Sequence, residues 1–412
     1  MAREDGSRPR RLLLLPSPPS PASFAALKAA YGATLSLALR EMQRCSSSVA
    51  GAALLEVALP CPHLYGSETA PRSALFARTQ SLVAGVYKLI CVIAAGEGID
   101  VESADGVDAR ILLLAYPRNG KLSHVPAEGR AEDDLQGPVI DMGTLAQCGR
   151  SWETVYAVES EAGEQLLKNF QALGKGMHNI RKLCGGIVQL SDNDAHDPAL
   201  NEVRRHFSVA VGGTFDHLHI GHKLLLTMTA FAIEPTTSGD GSERSITIGI
   251  TGDELLKNKK YADYLESWGA RQQATYDFLH TIIDFSPPGG SLQKVEELSN
   301  PGPNGHAVNI TLPSNLVLKC VEIWDPFGPT ITDESISALV LSGETRSGGK
   351  AVNAKRQEKG WPELEVFEVD VLDAEEEQDA QGQGVEQAFQ SKLSSTEIRR
   401  LQSEKASPTR AA

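Results

Sequence analysis

The stretch that most constrains this chain is Phe207–His222, FSVAVGGTFDHLHIGH. It begins as an apolar, β-branched run through Phe207, Val209 and Val211, which predicts a buried strand. Gly212 and Gly213 follow, where a backbone can turn sharply and approach a ligand closely. Thr214, Asp216, His219 and His222 come next, and an apolar helical run covers Lys223 to Phe231. His219 and His222 flank Gly221 at a spacing that puts both imidazoles on one face of the first helical turn. Free backbone N–H groups and the helix dipole favour an anion there. The order of strand, glycine turn, histidine pair and helix therefore predicts a phosphate site. The competing readings are a capped helix over a satisfied core histidine, and zinc, for which no third ligand stands at suitable spacing.

Alternation of strand and helix continues downstream, which predicts an α/β fold with a parallel sheet. Strands are expected at Phe207–Val211, Ile246–Ile250, Leu316–Ile323, Ser337–Leu341 and Leu364–Val369. Helices are expected at Ile220–Ile233, Ala270–Asp284, Lys350–Lys359 and Lys392–Glu404. Ser286–His306 is rich in Pro, Gly and Asn and reads as an inserted loop, and Asp373–Val385 as a solvated acidic insert. Upstream, Leu27–Met42 and Glu164–Ile180 have helical spacing. Arg110–Tyr116 and Val83–Ala94 are apolar runs of strand or buried-helix type, and Trp152–Ala157 is a candidate strand. The expected organisation is a flexible leader over 1–23, an N-terminal α/β domain over 24–190, a polar linker over 191–202, a second domain over 203–405 and a tail over 406–412.

Three further elements suit anions. The basic turn LLKNKKY, with Lys257, Lys259 and Lys260, follows the second strand of the second domain, and SSTEIRR puts Ser394, Ser395 and Thr396 at a helix start with Arg399 one turn on. Each alone is an ordinary exposed turn or cap. Thr214 stands where strand meets helix, the crevice at which open α/β sheets bind ligands.

A net charge of −14 argues against a nucleic-acid coat or an anionic membrane as the main partner, but a local lysine cluster can still hold a phosphorylated substrate. The six cysteines show no C-x-x-C and no zinc spacing, so reduced thiols in the cytosol are the expectation. No apolar run approaches the roughly 20 residues needed to span a bilayer. His63 and His124 sit alone in loops and read as structural. There is no P-loop and no G-x-S-x-G elbow.

Read together, VGGTFDHLHIGH, GITGDELLKNKK, VLSGETRSGGKAVNAKR and SSTEIRR are similar, in order and spacing, to the eukaryotic phosphopantetheine adenylyltransferases of the H-x-G-H nucleotidyltransferase superfamily. The resemblance covers roughly Phe207 to Gln402, and VDARILLL at Val107–Leu114 weakly resembles the extension that precedes that domain in eukaryotic forms. The missing P-loop fits the stand-alone, fungal type rather than a fusion with a dephospho-coenzyme A kinase. The resemblance implies a Rossmann-like nucleotidyltransferase domain that makes dephospho-coenzyme A and pyrophosphate from ATP and 4′-phosphopantetheine, with Mg²⁺ accompanying ATP. It implies catalytic roles for His222, Thr214 and a lysine, Lys257 or else Lys259 or Lys260. ATP would be held by Gly213, Phe215, His219, His222, Ser394, Ser395, Thr396 and Arg399. Thr214, the three lysines and either Arg271 or Arg346 would hold the acceptor, the arginine replacing a pair found in bacterial members. Other pathway enzymes are implied partners; nucleic acid and membrane are not.

The rivals are an H-x-G-H enzyme with another phosphorylated acceptor and a non-catalytic scaffold in the coenzyme A pathway. A class I aminoacyl-tRNA synthetase would need a K-M-S-K-S loop, and a cytidylyltransferase an Arg-Thr ahead of the final motif; neither is present.

Overall fold

The computed structural model describes residues 8–46, 51–67, 69–103, 105–123, 135–174, 176, 179–188, 204–235, 243–287, 293–299, 304–370, 372 and 394–406. The linker over 191–202, the acidic insert Asp373–Val385 and His124 lie outside these residues. The chain divides into two units, Met1–Arg204 with Thr281–Ser291, and Arg205–His280 with Leu292–Ala412.

In the first unit a sheet of six strands, counted among the described residues, is built from β1 (Arg10–Leu14), β2 (Ala53–Pro60), β3 (Val107–Leu114), β4 (Val139–Ile140), β5 (Thr154–Glu159) and β6 (Ile180–Cys184). Its order is β4-β3-β2-β1-β5-β6 and every pairing is parallel. Helices α1 (Phe24–Ser46), α2 (Arg72–Glu97), α3 (Met142–Gln147) and α4 (Glu161–Leu173) connect the strands. Strands covered on both faces read as continuous apolar runs, and all of β2 is buried.

One expectation fails here. Residues 10–14 are not a flexible leader but β1, paired with β2 on one side and β5 on the other, with Leu12 to Leu15 fully buried. Four leucines between arginines and prolines are too short a run to show a period, and only the neighbouring strands reveal it as the sheet's centre. The only charge in β2, Glu56, is buried and held by Arg10 Nη2 at 3.0 Å, Arg150 Nη1 at 2.6 Å and Trp152 Nε1 at 2.5 Å. Burial alone would raise its carboxyl, but Arg150 and Arg10 outweigh burial and keep it below the ordinary carboxylate range.

A second expectation also changes. α2 is long and apolar enough to cross a membrane by length and composition, although 61% of its most apolar stretch is buried in the structure. Leu82, Val83, Val86, Tyr87 and Ile90 are among its buried residues, the pattern of a core helix.

The second unit is a seven-stranded sheet, again counted among the described residues. Its elements are β7 (Ser208–Gly213), α5 (Ile220–Ala232), β8 (Arg244–Thr251), α6 (Trp268–Ile283), β9 (Lys294–Leu298), β10 (Ala307–Thr311), β11 (Leu316–Ile323), β12 (Ala338–Ser342), α7 (Arg346–Glu358), β13 (Glu365–Val369) and α8 (Ser395–Ala406). The order is β13-β12-β7-β8-β11-β10-β9; the first five are parallel and β10 and β9 add antiparallel at one edge. This is a Rossmann-like arrangement, with β7 at the point where the strand order reverses. β9 lies inside the stretch read as an inserted loop. All five of its residues are exposed, so it carries no apolar face to betray it.

The reversal opens the sheet. β7 pairs with β12 only from Val209 to Val211, against Ala338 to Val340, although β7 runs on to Gly213 and β12 to Ser342. On its other side β7 stays paired with β8 through Gly213. The carboxyl ends of β7 and β12 therefore part, and a crevice forms between them.

Candidate active site

A cavity of about 900 Å³ fills this crevice. Gly212, Gly213 and Thr214 line it from β7, Thr251 from β8, Ile323 from β11, Ser342 from β12 and Asp370 from beyond β13. His219 and His222 line it from the start of α5.

The histidines are set by the loop ahead of them. Phe215 and His217 take positive φ, 51° and 46°, strained for side chains of their size. Glu266 and Tyr264 hold this loop: Glu266 Oε2 accepts from His217 N at 2.7 Å, and the Tyr264 carbonyl meets His217 Nε2 at 2.9 Å. The imidazoles of His219 and His222 stack with centroids 3.8 Å apart. Gly221 permits this, because a Cβ there would lie 3.2 Å from the His219 ring. Both Nδ1 atoms are buried without a hydrogen-bond partner among the described residues.

Burial, reinforced by His222, Lys223 and His217, pushes the His219 imidazole well below its ordinary value. Burial also pushes His222 down, to about 4, against the opposing pull of Asp216. Both rings are therefore neutral near pH 7, each with one N–H to donate and no positive charge to repel its stacked neighbour.

The start of α8 closes another wall of the cavity with Ser394, Ser395, Thr396 and Arg399. Ser394 caps the helix, its Oγ accepting from Glu397 N at 3.4 Å, and Ser395 Oγ donates to the Asp216 carbonyl at 2.8 Å. Arg399 pairs with Asp216, donates through Nε to the Lys260 carbonyl at 3.1 Å and through Nη2 to Thr396 Oγ1 at 3.2 Å.

Of the three lysines, Lys259 lines the cavity. Lys257 is exposed and pairs with Glu254, and Lys260 is tied by its carbonyl to Arg399. Neither arginine singled out in the sequence lines the cavity. Arg271 is fully buried and gives its guanidinium to the carbonyls of Glu266, Thr214 and Thr251 at 3.0, 2.6 and 2.8 Å and to Asp253 Oδ1 at 2.6 Å. It ties the carboxyl ends of β7 and β8 together. Arg346 is exposed and grips Glu368 through Nε at 2.7 Å. Phe215 is buried behind His222, ring centroids 5.4 Å apart, and supports the histidines rather than lining the space.

Sequence reading did not single out Glu344, Thr345, Ser347 and Gly348, which line the cavity at the start of α7, nor Asp370 and Thr251. The signal for most of them was positional: each follows the carboxyl end of a parallel strand.

Fold and site thus define a Rossmann-like α/β unit with a neutral histidine pair, a lysine and a helix start around one cavity at the switch point. The chain is 33% identical over 237 residues to the uncharacterized protein C1F12.08 of Schizosaccharomyces pombe, covering 57% of this chain and 60% of that one. It is 33% identical over 220 residues to the phosphopantetheine adenylyltransferase of Saccharomyces cerevisiae, covering 52% of this chain and 56% of that one. It is 27% identical over 173 residues to the phosphopantetheine adenylyltransferase of Methanothermobacter thermautotrophicus, covering 42% of this chain and 79% of that one. The chain thus spans little more than half the length of the first two relatives. Residues 1–189 match a domain of unknown function, DUF8446.

Proposed function

We propose that the second unit transfers the adenylyl group of ATP to 4′-phosphopantetheine, giving dephospho-coenzyme A and pyrophosphate in coenzyme A synthesis. The observation that carries this reading is the stacked, neutral His219–His222 pair, with unpartnered Nδ1 atoms, facing one cavity with Lys259 and the start of α8. The names of the yeast and archaeal relatives support the choice of substrates.

In this reading a phosphate oxygen of the acceptor attacks the α-phosphorus of ATP. The bond from that phosphorus to the bridging oxygen breaks, and pyrophosphate leaves with the electron pair. A phosphate is already a competent nucleophile at neutral pH, so the protein's work is to position two repelling anions and stabilise the charge between them. His222 donates to the α-phosphate and His219 to a neighbouring phosphate. Thr214 orients the attacking phosphate, and Lys259 bridges the two substrates as a point charge. The free N–H groups at the start of α8 hold the β- and γ-phosphates, with Ser394 to Thr396. Mg²⁺ arrives with ATP as part of the substrate and neutralises phosphate charge. A cytoplasmic location goes with this proposal.

The test is pyrophosphate release by the purified chain with Mg²⁺ and ATP, with and without 4′-phosphopantetheine. Release that depends on phosphopantetheine and yields dephospho-coenzyme A supports the reading. Release with a different phosphorylated acceptor keeps the reaction and replaces the substrate. No release with any acceptor favours a binding or scaffold role.

A further inference from the structure

The loop ahead of the histidine pair is strained at two places, Phe215 and His217, whose φ angles are positive. Such a conformation persists only where its surroundings over-determine it. Each φ follows the plane of the peptide group ahead of its residue, so the holds must act on the groups joining Thr214 to Phe215 and Asp216 to His217. One side chain serves both. Arg271 Nη1 donates to the Thr214 carbonyl at 2.6 Å, which holds the first plane. Its Nε donates to the Glu266 carbonyl at 3.0 Å, and Glu266 Oε2 accepts from His217 N at 2.7 Å, which holds the second. Ser395 Oγ also grips the second plane, at the Asp216 carbonyl.

The remaining bonds of Arg271 reach the end of β8 and the turn after it. Nη2 donates to the Thr251 carbonyl at 2.8 Å and to Asp253 Oδ1 at 2.6 Å. Thr251 Oγ1 in turn donates to the Gly213 carbonyl at 3.2 Å. Gly213, Thr214 and Thr251 all line the cavity, whereas Arg271 is fully buried and does not. A guanidinium has five N–H donors in a fixed plane, and these bonds use four of them within the second unit. An ammonium is a single point of charge and cannot meet four acceptors set around a plane.

We infer that Arg271 is a positioning residue for the transfer proposed above. It meets no substrate; it sets Thr214 and the His219–His222 pair by pinning the peptide planes of the loop between them. The kinetic consequence rests on the adenylyl-transfer reading, but the effect on the histidines does not. Groups that act on a transition state tolerate little displacement, and a shift of about 1 Å can cost on the order of 100-fold in rate. Loss of Arg271 therefore acts on kcat, because neither substrate loses a direct contact with it.

The test compares Arg271→Lys, Asp253→Asn and Leu279→Ala in the full chain with isotope-labelled histidine, the signals being assigned from His219→Gln and His222→Gln. Arg271→Lys keeps the charge and should lower kcat about 30-fold while each KM changes less than about threefold. The imidazole signals of His219 and His222 should move with it. Asp253 is exposed, so Asp253→Asn spares the fold; it weakens the hold on Nη2 and should lower kcat about threefold with smaller shifts of the same signals. Leu279 is a fully buried residue of α6 outside the cavity lining. Leu279→Ala should lower the thermal midpoint yet leave kcat and both histidine signals in place. The inference is overturned if Arg271→Lys keeps the parent's kcat and histidine signals, or raises KM alone. It is also overturned if Leu279→Ala moves the signals as far as Arg271→Lys does, since the role would then be stability alone. Should Arg271→Lys not fold, Asp253→Asn decides, and parent-like kcat and signals in it overturn the inference. A parent that releases no pyrophosphate overturns the adenylyl-transfer reading, and the histidine signals then uphold or overturn the positioning by themselves.

Discussion

Arg399 of α8 and Asp216 of the loop ahead of the histidines form a buried ion pair across 183 residues of chain. Asp216 Oδ1 also accepts from Glu266 N at 3.0 Å, and Arg399 holds the Lys260 carbonyl. One pair thus locks three parts of the candidate site together: the histidine loop, the lysine turn and the helix start. Arg399→Met keeps most of the volume but leaves Asp216 buried and uncompensated. It should cost about 3–5 kcal/mol, read from urea unfolding, and lower pyrophosphate release. A loss under about 1 kcal/mol would mean that the pair is no better than an exposed one.

Gly221→Ala would press a methyl group against the His219 ring, which a Cβ would approach to 3.2 Å. Turnover should fall at least tenfold as the histidine stack shifts, with a stability loss of about 1 kcal/mol. Gly269→Ala is the control, since nothing lies within 4 Å of a Cβ there. It should stabilise α6 by up to ~1 kcal/mol, measured by thermal unfolding.

Lys259 and Lys257 stand two residues apart in sequence but differ in environment. Lys259→Ala should lower kcat/KM by more than tenfold, as expected for a cation that touches both substrates. Lys257→Ala removes a solvent-exposed partner of Glu254 and should change kcat/KM less than twofold. Steady-state kinetics of the two variants decide the assignment, and the reverse ranking would refute it.

His222→Ala should lower turnover on the order of 10² to 10³-fold while leaving the thermal midpoint nearly unchanged. The ring's folded value of about 4, against an ordinary 6.5, also gives a pH signature. Between those values the unfolded chain binds a proton that the folded chain refuses, so stability rises with pH through that window and is fully present above it. Denaturation from pH 4 to 7 should show a shallower slope in His222→Gln than in the parent. An unchanged slope would mean that His222 titrates normally in the folded state.

Leu13 sits at the middle of β1, fully buried between β2 and β5. Leu13→Ala should cost about 2–5 kcal/mol in urea unfolding of the first unit. A neutral effect would return this segment to the status of a leader.

The sequence alone carried the local chemistry. The strand, histidine pair and helix of Phe207–Ala232 were legible because each signal spans only a few residues, but the expected glycine turn was not: Gly212 and Gly213 extend β7, and the chain turns at Phe215 and His217. The parallel core of the second sheet followed from the alternation of strand and helix after Phe207. What was not legible depends on neighbours distant along the chain. Arg10–Leu14 became a central strand only because β2 and β5 flank it. Arg271 and Arg346 carry the same charge in the sequence, yet one is bound by backbone carbonyls and Asp253 and the other by Glu368. Likewise Lys259, and not Lys257 or Lys260, is among the residues that line the cavity, which the spacing of three lysines in one turn could not reveal. Propensity and pattern act over one turn or one strand, so the sequence determines the elements. Burial and ion pairing act across the fold, so the tertiary structure decides which of several identical charges faces the cavity.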